Sequence, residues 1–143
     1  MIGLDTNILA RYYVETTDND IKTKKQRELS KYIIENSPNL FVSNTVIIEF
    51  EWILRAVCKY DLQTIIMIYN HLLTLPNIQF ENKVMIQKAI IFAKSGIEFT
   101  DAFHLASYQN CNLVYSFDDK GFAKKVAKNQ FLPSVIIPSE HYV

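Results

Sequence analysis

Short apolar runs alternate with stretches of helical periodicity along the whole sequence, and this order most constrains the fold. The runs at 1–4, 40–42, 78–80, 113–115 and 135–137 predict five short strands. Apolar residues recur at helical spacing between them. Parallel neighbours need a crossover element, so strands that alternate with helices favour parallel pairing. The sequence therefore predicts an α/β fold with a mostly parallel central sheet and helices on both faces.

The helices predicted between these strands follow from apolar spacing, capping residues and prolines. Thr100 is the predicted cap of the helix at 101–109, and Pro76 follows the end of the helix at 62–75. An Asp5-Thr6-Asn7 turn is predicted to separate the first strand from the first helix. The predicted helices are 8–13, 22–35, 46–57, 62–75, 83–94, 101–109 and a lysine-rich helix after residue 119.

The third helix has the clearest amphipathic pattern. Ser43, Asn44 or Thr45 can cap it. Glu49 and Glu51 lie at opposite edges of its apolar stripe, so periodicity does not decide which of the two faces solvent. The predicted stripe consists of Val46, Phe50, Ile53, Leu54 and Val57.

Composition limits the domain count and the class of partner. A chain of 143 residues that is 49% hydrophobic can build one closed core, so a single domain over residues 1–143 is expected. Lysine plus arginine equals aspartate plus glutamate at 15 each, so contact with a polyanion must be local. The separated cysteines Cys58 and Cys111 favour reduced thiols. With no apolar stretch of membrane-spanning length and no signal-peptide pattern, a cytoplasmic protein is expected.

Acidic residues follow two of the predicted strands. Asp5 comes after the first strand, and Asp118 or Asp119 follows the strand at 113–115. Ligands of parallel sheets bind at the carboxyl ends of strands. Clustered carboxylates repel one another unless a cation is present, and their hard oxygens favour Mg²⁺ or Mn²⁺. Such an ion can activate water for phosphodiester hydrolysis. Each acid also has an ordinary explanation as a cap or as solvated surface, and the first-turn position of Asp101 is favoured by the helix dipole alone.

Four short segments, in this order, resemble the PIN-domain family, in particular the VapC-type toxins of toxin-antitoxin systems. Together they span nearly the whole chain. They are Ile2-Gly3-Leu4-Asp5-Thr6-Asn7, Ser43-Asn44-Thr45 running to Glu49, Phe99-Thr100-Asp101-Ala102-Phe103-His104-Leu105-Ala106, and Tyr115-Ser116-Phe117-Asp118.

The resemblance implies a three-layer, Rossmann-like fold and a metal-dependent endoribonuclease. Its Mg²⁺ or Mn²⁺ site would be formed by Asp5, Glu49, Asp101 and Asp118, with Asp5 as the central ligand. It also implies an antitoxin partner and a homodimer. Polar residues beside the acids would orient a ligand or a metal-bound water, and these are Asn7, Ser116, Thr6 and Asp119.

Several basic residues are candidates for RNA contact. Arg11 is close to Asp5 in sequence, and Lys120, Lys124 and Lys128 recur at four-residue spacing after Asp118. A second basic region lies at 22–31. A solvated helix face is the ordinary explanation of the lysine face and of the second region, and Arg11 could also contact a partner. His104 is three residues after Asp101, but magnesium prefers oxygen ligands, so a structural histidine is expected. The apolar segment 65–75 is predicted to be a subunit or partner surface, or a wholly buried helix.

Other classes fit the sequence less well. A catalytically silent PIN-like scaffold that binds RNA or protein remains the alternative. A phosphotransferase of the haloacid dehalogenase type also has an Asp after its first strand, but it needs a second Asp two residues later, where this chain has Asn7. The acidic pair and lysine of a response-regulator receiver are not found at the expected strand ends.

Overall fold

The five predicted strands are present in a computed structural model that describes residues 1–17 and 20–139. The last strand begins one residue earlier than the predicted 135–137. Every strand pairing is parallel, within one sheet of order β1-β2-β3 and another of order β4-β5. The predicted α/β fold with parallel strands is confirmed. The strands are β1 (Ile2–Gly3), β2 (Leu40–Val42), β3 (Ile78–Phe80), β4 (Leu113–Tyr115) and β5 (Ser134–Ile136).

The α-helices occupy the predicted positions, with shifts of one to a few residues at their ends. Two π-helical turns, Ile53–Val57 and Asp119–Ala123, adjoin helices and were not predicted. Within the described ranges the helices are α1 (Thr6–Tyr13), α2 (Ile21–Asn36), α3 (Asn44–Trp52), α4 (Leu62–Thr74), α5 (Lys83–Lys94), α6 (Phe99–Ser107) and α7 (Lys124–Lys128).

The chain divides into two structural units, Met1–Lys83 and Val84–Val143. The first unit contains the three-stranded sheet, and the second contains the two-stranded sheet. The assignment of residues 1–143 to a single domain stays a prediction.

Strand β2 is the centre of the sheet in the first unit. Leu40 pairs with Ile2 on one side and with Ile78 on the other. Leu40 and Val42 are fully buried, whereas Ile2 on the edge strand is exposed. Because all three strands are parallel, their carboxyl ends lie at the same edge of the sheet.

Helix α1 begins without an intervening turn. The Asp5 side chain accepts a hydrogen bond from the Thr6 backbone N–H at 2.8 Å, and Thr6 is already helical. The predicted Asp5-Thr6-Asn7 turn is therefore wrong. The physical reason is that Asp5 itself supplies the N-cap, so the helix starts at the next residue.

Helix α3 differs from its predicted stripe. Ser43, one of three candidate caps, accepts from the Val46 backbone N–H. The fully buried positions include Ile47, Phe50 and Leu54, whereas Val57 is 61% exposed. The predicted place of Val57 in the stripe is wrong, because the helix ends in a π-helical turn with a longer repeat than 3.6 residues.

Glu51 is the buried acid of α3. Its side chain is 3% exposed and accepts a hydrogen bond from Arg55 Nε at 2.8 Å, forming an ion pair one turn along the helix. The neighbouring Tyr69 is fully buried and donates its hydroxyl to the Ile47 carbonyl. Burial raises the pKa of Tyr69, and the charge of Glu51 raises it further. Glu51 therefore belongs to the core of the first unit, and Glu49 is exposed.

Helix α4 buries only one side of the apolar segment 65–75. Ile65, Tyr69 and Leu72 are buried, whereas Met67 is 65% exposed. The alternative of a wholly buried helix is therefore wrong, because solvent reaches the other side. None of the described helices is long and apolar enough to cross a membrane.

The second unit begins with α5 and turns at Gly96, whose φ of 100° favours glycine. Helix α6 then starts at Phe99, with Glu98 at its N-cap position. The predicted cap Thr100 is wrong, because it is already inside the helix. The helix also ends at Ser107 rather than Gln109. Gln109 Nε2 instead donates to the carbonyls of Leu105 and Leu132, both at 2.9 Å.

The two acids of α3 give a stability test. We expect Glu51→Ala to lower the free energy of unfolding by about 2 kcal/mol, because it empties a buried position and leaves Arg55 without its carboxylate. Glu49→Ala, the matched control on the same helix, should change it by less than about 0.5 kcal/mol. Urea titration measures both. Equal losses for the two variants would contradict the core role of Glu51.

Candidate active site

Polar residues cluster at the carboxyl ends of β1, β2 and β3. Asp5 follows β1, Ser43 and Asn44 follow β2, and Glu81 follows β3. The Asn44 backbone N–H and side-chain amide donate to the two oxygens of Glu81 at 3.1 and 3.3 Å. Sequence reasoning missed Glu81, although it directly follows a predicted strand. The sheet edge at which Asp5 lies therefore carries a second acid, Glu81.

Asp5 has spare ligand capacity. Its Oδ1 caps α1, and no other side-chain hydrogen bond to Asp5 exists in the described part of the chain. The adjacent Thr6 hydroxyl is buried and has no hydrogen-bond partner among those residues. A carboxylate with a free oxygen beside an unsatisfied hydroxyl is the chemistry expected of an unfilled polar site.

Glu49 and Asp5 are both exposed, as a substrate-accessible site requires. Within residues 1–17 and 20–139, no hydrogen bond joins them. The structure distinguishes the two acids of α3, which the sequence pattern could not do. Glu51 is buried and paired with Arg55. Glu49 is therefore the acid of this helix that remains accessible to a ligand.

Asn7 and Arg11 lie on α1 beyond Asp5. Both line a cavity of about 240 Å³ between α1 and α2. Arg11 Nε donates to the Gln26 side chain at 2.9 Å. These two residues thus share one surface of the first unit.

In the second unit, Asp101 lies among other acids. Burial raises its pKa most, and the charges of Glu98 and then Asp118 raise it further. His104 and Lys125 oppose this shift. Asp101 and Asp118 therefore lie within electrostatic reach of each other. Sequence reasoning missed Glu98, although its position three residues before Asp101 is a same-face helical spacing.

Asp118 is held by its own loop. It accepts from the Gly121 backbone N–H at 2.9 Å, and its backbone N–H donates to Ser116 Oγ at 3.1 Å. A Cβ on Gly121 would lie 2.8 Å from both carboxylate oxygens of Asp118. Asp119 begins the π-helical turn and is not among the charges that shift Asp101. Of the two candidates, Asp118 is the acid whose charge raises the pKa of Asp101.

The predicted lysines Lys120 and Lys124 are exposed. Lys120 lies in the π-helical turn and Lys124 begins α7, so their four-residue spacing spans two kinds of helix and does not define one α-helical face. Lys125, which was not predicted, is the lysine that lowers the pKa of Asp101.

The candidate acids have the ligand chemistry that a divalent ion requires. Carboxylates are the hard oxygen donors that Mg²⁺ and Mn²⁺ prefer, and a cation would relieve the repulsion around Asp101. Among the described residues, however, no three His, Cys, Asp or Glu side chains are close enough to hold one metal ion.

Parallel strands followed by acids define a class of α/β proteins that bind ligands at the carboxyl ends of their strands. The model of the PIN domain family matches residues 2–129, so the chain belongs to the PIN-domain family. PIN domains are generally metal-dependent nucleases. A search of curated proteins gave no significant match.

The acidic cluster predicts how the pKa of Asp101 responds to substitution. Glu98→Gln and Asp118→Asn should each lower this pKa, because each removes a like charge, and Glu98→Gln should have the larger effect. Carboxyl carbon NMR titration without divalent ions measures it directly. The control Asp119→Asn should leave the pKa of Asp101 unchanged. A larger shift from Asp119→Asn than from Asp118→Asn would overturn the assignment of Asp118.

Proposed function

We propose that this PIN-domain protein is a metal-dependent endoribonuclease that hydrolyses phosphodiester bonds in RNA. Its proposed metal ligands are Asp5, Glu49, Asp101 and Asp118, with Asp5 central. The single observation that carries the proposal is the match of the PIN domain family over residues 2–129, because PIN domains are generally metal-dependent nucleases. The raised pKa of Asp101 beside Glu98 and Asp118 agrees with it. Acids held together against their repulsion are expected where a cation or a reacting phosphate is bound.

The chain's own residues have distinct roles in this proposal. Asp5 offers the oxygen that does not cap α1, and Glu49 offers an exposed carboxylate. Asp118 is kept in position by Gly121 and Ser116. Asn7 and Ser116 would hold a bound water or a phosphate oxygen, with Thr6 and Asp119 beside them. When bound, Mg²⁺ or Mn²⁺ would supply a more acidic water and charge for the developing phosphorane.

Asp5→Asn tests the catalytic proposal. Asparagine caps a helix about as well as aspartate, so the variant should fold while losing the charge that binds the metal. We expect the parent to cut labelled RNA with Mg²⁺ or Mn²⁺ and the variant to cut it at least about 100-fold more slowly. Gel analysis of timed digests measures both rates, and excess EDTA should abolish the activity.

The matched control is Asp61→Asn. Asp61 caps α4 by accepting from the Thr64 backbone N–H at 2.8 Å, so the two substitutions change the same charge and the same kind of cap. Asp61→Asn should leave RNA cleavage unchanged. Cleavage that survives EDTA, or an Asp5→Asn variant as fast as the parent, would refute the proposed site.

The family resemblance extends the proposal to a toxin that acts in the cytoplasm and is neutralised by an antitoxin. It also proposes a homodimer. Exposed apolar side chains of the first unit provide surface for such partners, and they are Trp52, Val57, Leu62 and Met67. Arg11, Lys120 and Lys124 remain proposed RNA contacts.

A growth assay tests the toxin role. Induced expression of the parent in a bacterial host should arrest growth, because uncontrolled RNA cleavage depletes translation. Asp5→Asn at matched expression should permit growth, and Asp61→Asn should arrest it like the parent. Growth of cells with soluble, ribonuclease-active parent protein would contradict the toxin role and leave the nuclease proposal standing.

A silent scaffold is the second candidate function. Calorimetry with millimolar Mg²⁺ or Mn²⁺ separates the two. Uptake that is lost in Asp5→Asn supports the nuclease, whereas no uptake together with RNA binding supports the scaffold.

A further inference from the structure

A cleft of about 670 Å³ opens between α1, α2 and α4 of the first unit. Its walls combine cations with aromatic rings, and its residues are Arg11, Tyr12, Tyr13, Lys24, Arg27, Glu28, Lys31, Glu35 and His71. We refer to it as the basic cleft.

The cations of the basic cleft are arranged in a row. Lys24, Arg27 and Lys31 recur at i, i+3 and i+7, which places them on one face of α2. Arg11 adds a fourth cation from α1. Seven residues of helix span about 10 Å, so these three cations extend along a line rather than surrounding one point. The spacing therefore suits a linear polyanion.

These cations are not neutralised within the cleft. Over residues 1–17 and 20–139, none of the four cleft cations forms an ion pair with a carboxylate within 4.0 Å. Glu35 instead interacts with Tyr12, whose pKa is raised by burial and then by the charge and hydrogen bond of Glu35. Four cations facing two acids leave a positive surface in a chain with no net charge.

The aromatic wall is held rigidly. The Tyr13 hydroxyl hydrogen-bonds His71 Nδ1 at 2.7 Å, and the two rings meet edge to face at 5.6 Å. Tyr12 packs against Tyr13 in the same manner at 4.9 Å. Fixed aromatic side chains beside cations are the surface on which unstacked bases of single-stranded nucleic acid pack.

Helix α1 connects the basic cleft to Asp5. Arg11 lines both the basic cleft and the smaller cavity that contains Asn7. Along the helix, Arg11 is about 9 Å from Asp5, because each residue rises 1.5 Å. A single RNA strand that reaches Asp5 can therefore continue along α1 into the basic cleft.

We propose that the basic cleft binds the sugar-phosphate backbone of single-stranded RNA, next to the bond that is cut. The position of the cleft next to the cut bond rests on the proposed function, whereas RNA binding by the cleft does not. Phosphate contacts of this kind fix the position of the strand and carry little sequence information.

Lys24→Gln/Lys31→Gln tests the proposal. Binding of a fluorescein-labelled 12-nucleotide RNA of mixed sequence is measured by anisotropy in EDTA, so that no cleavage occurs. We expect Kd to rise about 10-fold near 100 mM salt, and the slope of log K against log salt to fall by about 1.4, or 0.7 per lost phosphate contact.

Lys22→Gln/Lys25→Gln is the matched control, because it removes the same charge from the same helix at exposed residues outside the cleft. Its Kd should change less than 2-fold. Lys24→Arg/Lys31→Arg keeps the charge and should retain binding. Equal weakening by both glutamine pairs would show a general charge effect and overturn the proposal, as would a parent that does not bind RNA.

Two further outcomes separate this proposal from the proposed function. Cleft-dependent RNA binding by a parent that never cuts RNA would support the basic cleft while the nuclease proposal fails. A parent that cuts RNA while both glutamine pairs bind it like the parent would overturn the cleft alone. Cleft-dependent binding of a polyglutamate peptide but not of RNA would overturn it in favour of an acidic protein segment.

Discussion

Parallel pairing of very short strands is the constraint on which the rest of this structure depends. Strand β2 has three residues, yet it pairs on both sides and buries Leu40 and Val42 completely. Each parallel neighbour requires a helical crossover, and each crossover leaves the sheet at the same edge. Helix N-termini and polar caps therefore gather there, which is why Asp5 and Ser43 both cap helices directly after strands.

The strands were predictable because their apolar runs are local in sequence and bounded by polar residues. The positions of Asp5 and Asp118 after strands were predictable for the same reason, since strand ends are visible in the pattern. Tertiary contacts decided what the pattern left open. Glu49 and Glu51 have equivalent places in the stripe, and only the packing of Arg55 and Tyr69 around Glu51 separates them.

Other features lay outside what periodicity describes. The π-helical turns follow no 3.6-residue repeat, so the exposure of Val57 was missed. Glu98 and Glu81 became relevant through their neighbours Asp101 and Asn44, which the linear sequence does not display. Equal numbers of acids and bases also concealed their distribution, because the first unit has acids at strand ends and cations along α2.

The absent side chain at Gly121 has a consequence for how this protein tolerates change. Any Cβ there would approach the Asp118 carboxylate to 2.8 Å, and both oxygens are affected equally. Even alanine would therefore have to displace the acid or the loop that carries it. The position of the Asp118 carboxylate thus depends on a glycine three residues later. A comparison of charged residues alone would not reveal this dependence.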